Sequence, residues 1–147
     1  MKIIKPTKAE VGAMFESGLN CSQCVLGQLA DELGYDIEEL HRIAHAFGGG
    51  MFRGDTCGTV VGALLAIGMA YGGSCDEQCD EVVHEKVHAF MDAFTERFGS
   101  VYCRELLGYD FSVPGERDKA FAAGATIERC PNFVRGALEI LEEITKE

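Results

Sequence analysis

Residues 47–72 read FGGGMFRGDTCGTVVGALLAIGMAYG: a glycine run, an Asp-Thr pair, a cysteine, and then an almost unbroken apolar segment. Asp55 or Thr56 is expected to cap a helix whose first residues are Cys57 and Gly58, because a short oxygen-bearing side chain accepts hydrogen bonds from the free N–H groups of the first turn. Cys57 would then lie at the positive end of the helix dipole, which favours thiolate over thiol. The thiolate attacks disulfides and binds metals, so this helix start is a candidate site.

Small residues recur at every fourth position of this helix, at Gly58, Gly62, Ala66 and Ala70. Such a strip lets another backbone approach closely, and large apolar side chains cover the other faces, which predicts a helix buried on all sides. The apolar run is shorter than the ~18 to 20 residues of a membrane span, so no membrane insertion is expected. No alternating β pattern occurs along the chain. We therefore predict an all-α, single-domain helical bundle over residues 1–147 with this buried helix at its centre.

The composition limits the classes of function. The chain has 147 residues and a formal net charge of −11, which argues against nucleic acid or an anionic membrane as a partner. The N-terminus, MKIIKPTKAE, has no apolar core of signal-peptide length, so we expect a cytoplasmic protein. Seven cysteines, an odd number in a reducing compartment, are seldom a disulfide framework and indicate metal binding or redox chemistry.

Helical periodicity and end signals divide the rest of the chain. The glycine run Gly48–Gly50 matches no phosphate-binding motif, so it is interpreted as a tight turn. The segment from Tyr109 to Thr126 is less regular, with a turn at Pro114 and Gly115, and Phe121 is expected to anchor it. The other expected helices run from Lys8 to Ser17, from a capping box of Asn20 and Gln23 to Gly34, from Asp36 to Phe47, from a capping box of Ser74 and Glu77 to Phe98, briefly after Cys103, and onward from Cys130 and Pro131.

Four of the cysteines fall at the starts of predicted helices: Cys21, Cys57, Cys103 and Cys130. If these helix starts converge, their free N–H groups would surround one point with hydrogen-bond donors and positive potential. Such a pocket would stabilise several thiolates, or the sulfides of a cluster. The alternative is that each is a small buried hydrophobic residue, which is common for free cysteine.

Four segments together resemble the C-GCAxxG-C-C family of redox-active proteins: GLNCSQCVL, FGGGMFRGDTCGTVVGALLAIG, FGSVYCRELLGYD, and a late cysteine before an amphipathic C-terminal helix. The resemblance extends roughly from Phe15 to Leu141. Its most specific part is the CGAxxG motif, which stands here as residues 57–62 with Thr59 in place of the alanine. Similar domains occur in split-Soret cytochromes, where the cysteines hold an iron–sulfur cluster beside haem.

The resemblance implies a small helical domain that holds an iron–sulfur cluster, with the two-iron type favoured. The cluster would relay electrons to an unidentified redox protein. Its ligands would be the four cysteines above, with Gly58 beside the cluster. No covalent haem is expected, because Val25 follows Cys24 where C-x-x-C-H requires histidine. A homodimer stays open, since faces of small residues suit association as well as internal packing.

Three cysteines depart from the family pattern. Cys24 forms a CxxC with Cys21 and could replace or assist one of the four ligands. Cys75 and Cys79 form a CxxxC that could bind a second metal, form a reversible disulfide, or have no role. Two alternatives to the cluster therefore remain: metal-free thiol/disulfide chemistry at Cys21 with Cys24 or at Cys57 with a neighbour, and structural zinc held by four thiolates.

All four histidines occur as pairs four residues apart, His41 with His45 and His84 with His88. The second pair reads HEKVH, which matches the zinc peptidase signature H-E-x-x-H. No suitably spaced third ligand follows, so a peptidase is not expected. A solvated or boundary helix face explains His84 and His88 without metal, and they remain secondary candidates for a divalent-metal site.

Overall fold

The computed structural model of the protein describes residues 1–74 and 76–146. These residues form nine α-helices and no β-strand, which confirms the all-α prediction. One isolated antiparallel bridge joins Thr56 to Tyr102. The helices are α1 (Lys8–Glu16), α2 (Cys21–Gly27), α3 (Ala30–Leu33), α4 (Ile37–Ala44), α5 (Gly58–Tyr71), α6 (Glu77–Phe98), α7 (Cys103–Leu107), α8 (Glu116–Ala122) and α9 (Ala125–Ile144).

Helix α5 lies at the centre and packs against α2, α6 and α9. Its small residues allow α2 to approach closely: a Cβ atom at Gly62 would lie 2.9 Å from the carbonyl oxygen of Ser22. Val60 and Ile67 are fully buried on this helix. Burial on all sides does not hold along its whole length, because Leu64 is half-buried and Ala70 is exposed where the last turns leave the core.

Helices α6 and α9 complete the walls of the core. Phe90 and Phe94, four residues apart on one face of α6, are fully buried. The rings of Phe98 on α6 and Phe133 on α9 meet edge to face with centroids 5.1 Å apart. Offset and edge-to-face contacts of this kind are the favourable arrangements of aromatic rings. No helix within the described residues combines the length and the apolar character of a membrane span.

One predicted capping box is confirmed and the other is wrong. The side chain of Asn20 accepts from the N–H of Gln23 at 3.1 Å, and the N–H of Asn20 donates to the side chain of Gln23 at 2.9 Å. Ser74 and Glu77 do not open α6. Asp76 does so, by accepting from the N–H of Cys79 at 3.0 Å. Both Asp76 and Ser74 are good cap residues, and sequence alone does not decide between two such neighbours.

Three predicted boundaries need correction. The helix expected from Asn20 to Gly34 is interrupted after Gly27, and only a short α3 follows before Gly34 ends it in the left-handed conformation. The irregular segment contains α8, whose anchor is the buried Ala120, whereas Phe121 is 51% exposed.

The last helix begins before Cys130 and Pro131, which therefore lie inside α9. Proline favours the first position of a helix, which made that residue the natural start in the sequence. Here the positive φ of Gly124, 72°, ends α8 and allows α9 to begin at Ala125 instead.

Candidate functional site

Four cysteines that are far apart in the sequence line one cavity of about 470 Å³: Cys21, Cys57, Cys103 and Cys130. Each side chain is buried, with no more than 9% of its surface exposed. Cys21 and Cys103 are the first residues of α2 and α7, whereas Cys57 is the residue immediately before α5. Cys130 lies in the second turn of α9, so the prediction of four helix starts is wrong for this residue.

Backbone hydrogen bonds hold Cys57 and Cys103 beside each other. The N–H of Cys57 donates to the carbonyl of Val101 at 2.7 Å, and the N–H of Cys103 donates to the carbonyl of Asp55 at 2.7 Å. These bonds flank the bridge between Thr56 and Tyr102. A short extended pairing, which is not visible as a strand pattern in the sequence, therefore brings two of the four cysteines together.

The predicted cap of α5 is wrong. Cys57 itself occupies the cap position, and neither Asp55 nor Thr56 caps the helix with its side chain. Instead the sulfur of Cys57 shares a hydrogen bond with the hydroxyl of Thr59 at 2.7 Å. Thr59, which replaces alanine in the CGAxxG pattern, thus contacts the site directly.

The glycine run forms a longer feature than a tight turn. Four consecutive residues, Gly49, Gly50, Met51 and Phe52, have φ values of 59°, 63°, 55° and 56°. This left-handed turn is unfavourable for residues that carry a Cβ, so Met51 and Phe52 store backbone strain. A Cβ at Gly50 would overlap the backbone of Asp55, which explains the glycine there. The turn places Phe52 in the lining of the cavity.

Cys21 and Cys57 form a hydrogen-bonded pair. The thiol of Cys57 donates to the sulfur of Cys21, and backbone N–H groups of Gly49 and Ser22 also donate to it. These donors outweigh burial and lower the pKa of Cys21 to about 7. The same hydrogen bond, together with burial, raises the pKa of Cys57 well above its usual value.

The remaining thiols stay protonated in the absence of a metal. Burial is the main reason that the pKa of Cys103 is raised to about 12 and that the pKa of Cys130 lies well above its usual range. The negative charge of Cys21 adds to both shifts. Near neutral pH the metal-free cavity therefore holds at most one thiolate, because burial and the charge of Cys21 both oppose further ionisation.

Two of the other cysteines, Cys24 and Cys79, do not line this cavity. Cys24 is 2% exposed and packs in the main core, and burial raises its pKa to about 12. Cys79 lies in the first turn of α6, with its sulfur 3.2 Å from the carbonyl oxygen of Tyr71. Cys75 is outside the described residues, so the predicted CxxxC pair stays a prediction.

The histidine pairs lie away from the cysteine cavity. His84 and His88 are exposed on α6, with ring centroids 4.3 Å apart. His41 borders α2, where its carbonyl accepts from the side chain of Gln23 at 3.0 Å, and His45 is exposed. In residues 1–74 and 76–146, no three Cys, His, Asp or Glu side chains are gathered as ligands of one metal ion. HEKVH therefore has no third ligand within that part of the chain.

Sequence reasoning missed most of the cavity wall. Apolar rings of Phe15, Phe52, Phe111 and Phe121 line it, together with the side chain of Arg117. Arg117 and Phe121 are four residues apart on α8, the spacing at which two side chains meet on one helix face. That spacing is the available signal in the sequence, but it indicates a shared face only where the segment is helical.

Neither the curated proteins nor the solved structures include a match to this chain. A family model described as "Putative redox-active protein (C_GCAxxG_C_C)" matches residues 19–144. The matched range contains all four cysteines of the cavity and covers most of the 147 residues. With its central CGTVVG segment and four cysteines around one cavity, the chain belongs to the C-GCAxxG-C-C family of redox-active proteins.

Proposed function

We propose that the protein binds an iron–sulfur cluster of the two-iron type through Cys21, Cys57, Cys103 and Cys130 and relays single electrons. The observation that carries this proposal is the convergence of four thiols, from four separate segments, on one cavity of about 470 Å³. Cysteine thiolates are the usual ligands of such clusters. A pair of cysteines would suffice for thiol exchange, and four are the number that a cluster requires.

The residues around the cavity fit an iron–sulfur cluster. A Cβ at Gly58 would overlap the sulfur of Cys21, so the glycine leaves room for this sulfur, one of the four proposed cluster ligands. Within the described part of the chain, no three ligands meet at one point. A four-thiolate zinc site requires four sulfurs around a single ion. A two-iron cluster instead takes two thiolates at each iron, so it does not require four sulfurs around one point.

The chain would tune such a centre through burial and hydrogen bonds. When bound, the cluster supplies reversible one-electron chemistry at a potential set by its surroundings. N–H groups of Gly49 and Ser22 already point to the sulfur of Cys21, and donors to sulfur are a principal means of adjusting that potential. Cys57, Cys103 and Cys130 must lose their protons to become ligands, so loading the site would release protons. We expect a cytoplasmic redox protein as the electron partner.

An absorption spectrum of protein purified without oxygen, combined with iron, zinc and acid-labile sulfide analysis, tests the proposal. Visible absorption with about two irons and two sulfides per chain is the expected result. Zinc in place of iron, or colourless protein without either metal after reconstitution with iron and sulfide, would refute it.

A second candidate function is metal-free dithiol chemistry at Cys21 and Cys57. The observation that favours it is the hydrogen bond between the two sulfurs. Oxidation would join these sulfurs in a disulfide and pass two electrons and two protons to a disulfide substrate, which leaves as two thiols. A reversible loss of two titratable thiols, in protein that contains neither iron nor zinc, would support this candidate over the cluster.

The acidity of Cys21 leads to a prediction for reduced, metal-free protein. Because its pKa is about 7, alkylation of Cys21 by iodoacetamide should rise with pH and reach half its maximal rate near pH 7, about two units below the ordinary thiol value of 9.0. Peptide mapping by mass spectrometry separates this residue from the others. In Cys57→Ala, which lacks the donating thiol, the midpoint should move towards pH 9. An identical midpoint in both proteins would contradict the role of the Cys57 hydrogen bond.

A further inference from the structure

The outer part of the cysteine cavity has an apolar rim that carries one positive charge. Phe52, Phe121 and Ile127 line the cavity and are 42%, 51% and 40% exposed, so they border its opening. Arg117 lines the cavity with them and is also exposed. Its guanidinium carbon is 5.0 Å from the ring centre of Phe121 and 5.7 Å from that of Phe52. We call these four residues the cavity rim.

Arg117 has ring contacts but makes no hydrogen bond or ion pair with any described residue. Two phenyl rings restrain the guanidinium through cation–π attraction, while its N–H groups stay available to an acceptor. A planar guanidinium with available N–H groups is well suited to a carboxylate, which it can bind with two parallel hydrogen bonds.

The cavity has the size and the lining of a small-molecule site. Its volume of about 470 Å³ lies within the usual range for ligand pockets, roughly 300–1,000 Å³. Such pockets are mainly apolar with a few polar groups that orient the ligand. The lining contains one other residue with a charged side chain, the acidic Glu16, so Arg117 is the cation that it offers to an anion. The cavity is therefore matched to one anionic group rather than two.

We propose that this cavity binds a small molecule with an apolar body and a single carboxylate. The carboxylate pairs with Arg117, and the apolar body lies against the rings of the rim and extends inward towards the cysteines. The strained conformation of Phe52 in the left-handed turn is consistent with a ring held in place for binding. This inference goes beyond the electron-transfer proposal, because it requires the cavity and Arg117 but no cluster.

Competition binding with octanoate and 1-octanol tests the proposal on the full-length protein purified without oxygen. The two compounds share an apolar chain and differ in the carboxylate. Each would displace the fluorescent anion 1-anilinonaphthalene-8-sulfonate, with iron content measured on the same samples. Octanoate should bind about tenfold more tightly than octanol to the wild-type protein. Arg117→Gln should remove that advantage and leave octanol unchanged.

Glu16→Gln is the matched control, since it changes the other charged residue of the lining. This variant should bind octanoate at least as tightly as the wild type does. Arg117 and Glu16 are both exposed, so both variants should unfold at the wild-type temperature. Equal affinities for octanoate and octanol, no effect of Arg117→Gln, or no binding of the dye to folded protein would each overturn the proposal. None of these outcomes requires iron to be present, and the iron content of each sample tests the cluster separately.

Discussion

Replacing Cys103 by alanine is expected to remove most of the iron and acid-labile sulfide from the protein, together with its visible absorption. Cys103 is one of the four thiols around the cavity, and three ligands hold a two-iron cluster much less well than four. The side chain is small, so its loss should leave the fold intact. Iron, sulfide and the spectrum should be measured after anaerobic purification, with circular dichroism as the check on folding.

Cys24→Ala is the matched control. Cys24 is as deeply buried as Cys103 but packs in the main core rather than in the cavity lining, so iron and sulfide should be retained.

The same variants separate the two candidate functions. Dithiol chemistry needs only Cys21 and Cys57, so Cys103→Ala would keep a reversible loss of two thiols while Cys57→Ala would abolish it. Full iron in Cys103→Ala, or loss of iron only in Cys24→Ala, would contradict the proposed ligand set.

Gly58→Ala is expected to lower the free energy of unfolding by about 1–3 kcal/mol and to disturb the site at the same time. A Cβ at this position would overlap the sulfur of Cys21 and would lie 2.9 Å from the carbonyl oxygen of Phe47. The sulfur has little room to move, because it is held by hydrogen bonds from Cys57 and from backbone N–H groups. Denaturant unfolding and iron content of the variant measure the two effects.

Gly68→Ala is the control in the same helix. No atom lies within 4 Å of a Cβ built there, so the substitution should raise the free energy of unfolding by about 0.5–1 kcal/mol through helix propensity. Opposite signs for the two variants would show that close packing, rather than helix propensity, explains Gly58. Equal stability changes would mean that the contact between α5 and the sulfur of Cys21 relaxes at little cost.

Local patterns predicted the helices well where their signals lie within a few residues of each other. The capping box of Asn20 and Gln23 joins residues three apart, and the inner face of α6 follows from the spacing of its phenylalanines. Errors arose where two local signals competed. Ser74 and Asp76 were both plausible caps, and Pro131 resembled a helix start although α9 had already begun at Ala125.

The site was predictable as a set of cysteines but not as a geometry. Sequence indicated that Cys21, Cys57, Cys103 and Cys130 share a location, and the structure brings them to one cavity. The sequence did not indicate how they meet. The backbone hydrogen bonds that hold Cys57 and Cys103 beside each other join residues more than 40 positions apart. Their role as cluster ligands stays a prediction.

By itself, the sequence determined an all-α chain with a central helix of small residues, because periodicity, capping and glycine placement act over one or two helical turns. It also indicated which cysteines are candidates for the site. Only the tertiary structure decided that Cys130 faces the cavity from within α9, that Cys57 donates to Cys21, and that Arg117 stands at the rim. These relations depend on atoms brought together from distant segments. They are set by packing and long-range hydrogen bonds, which leave no periodic trace in the sequence.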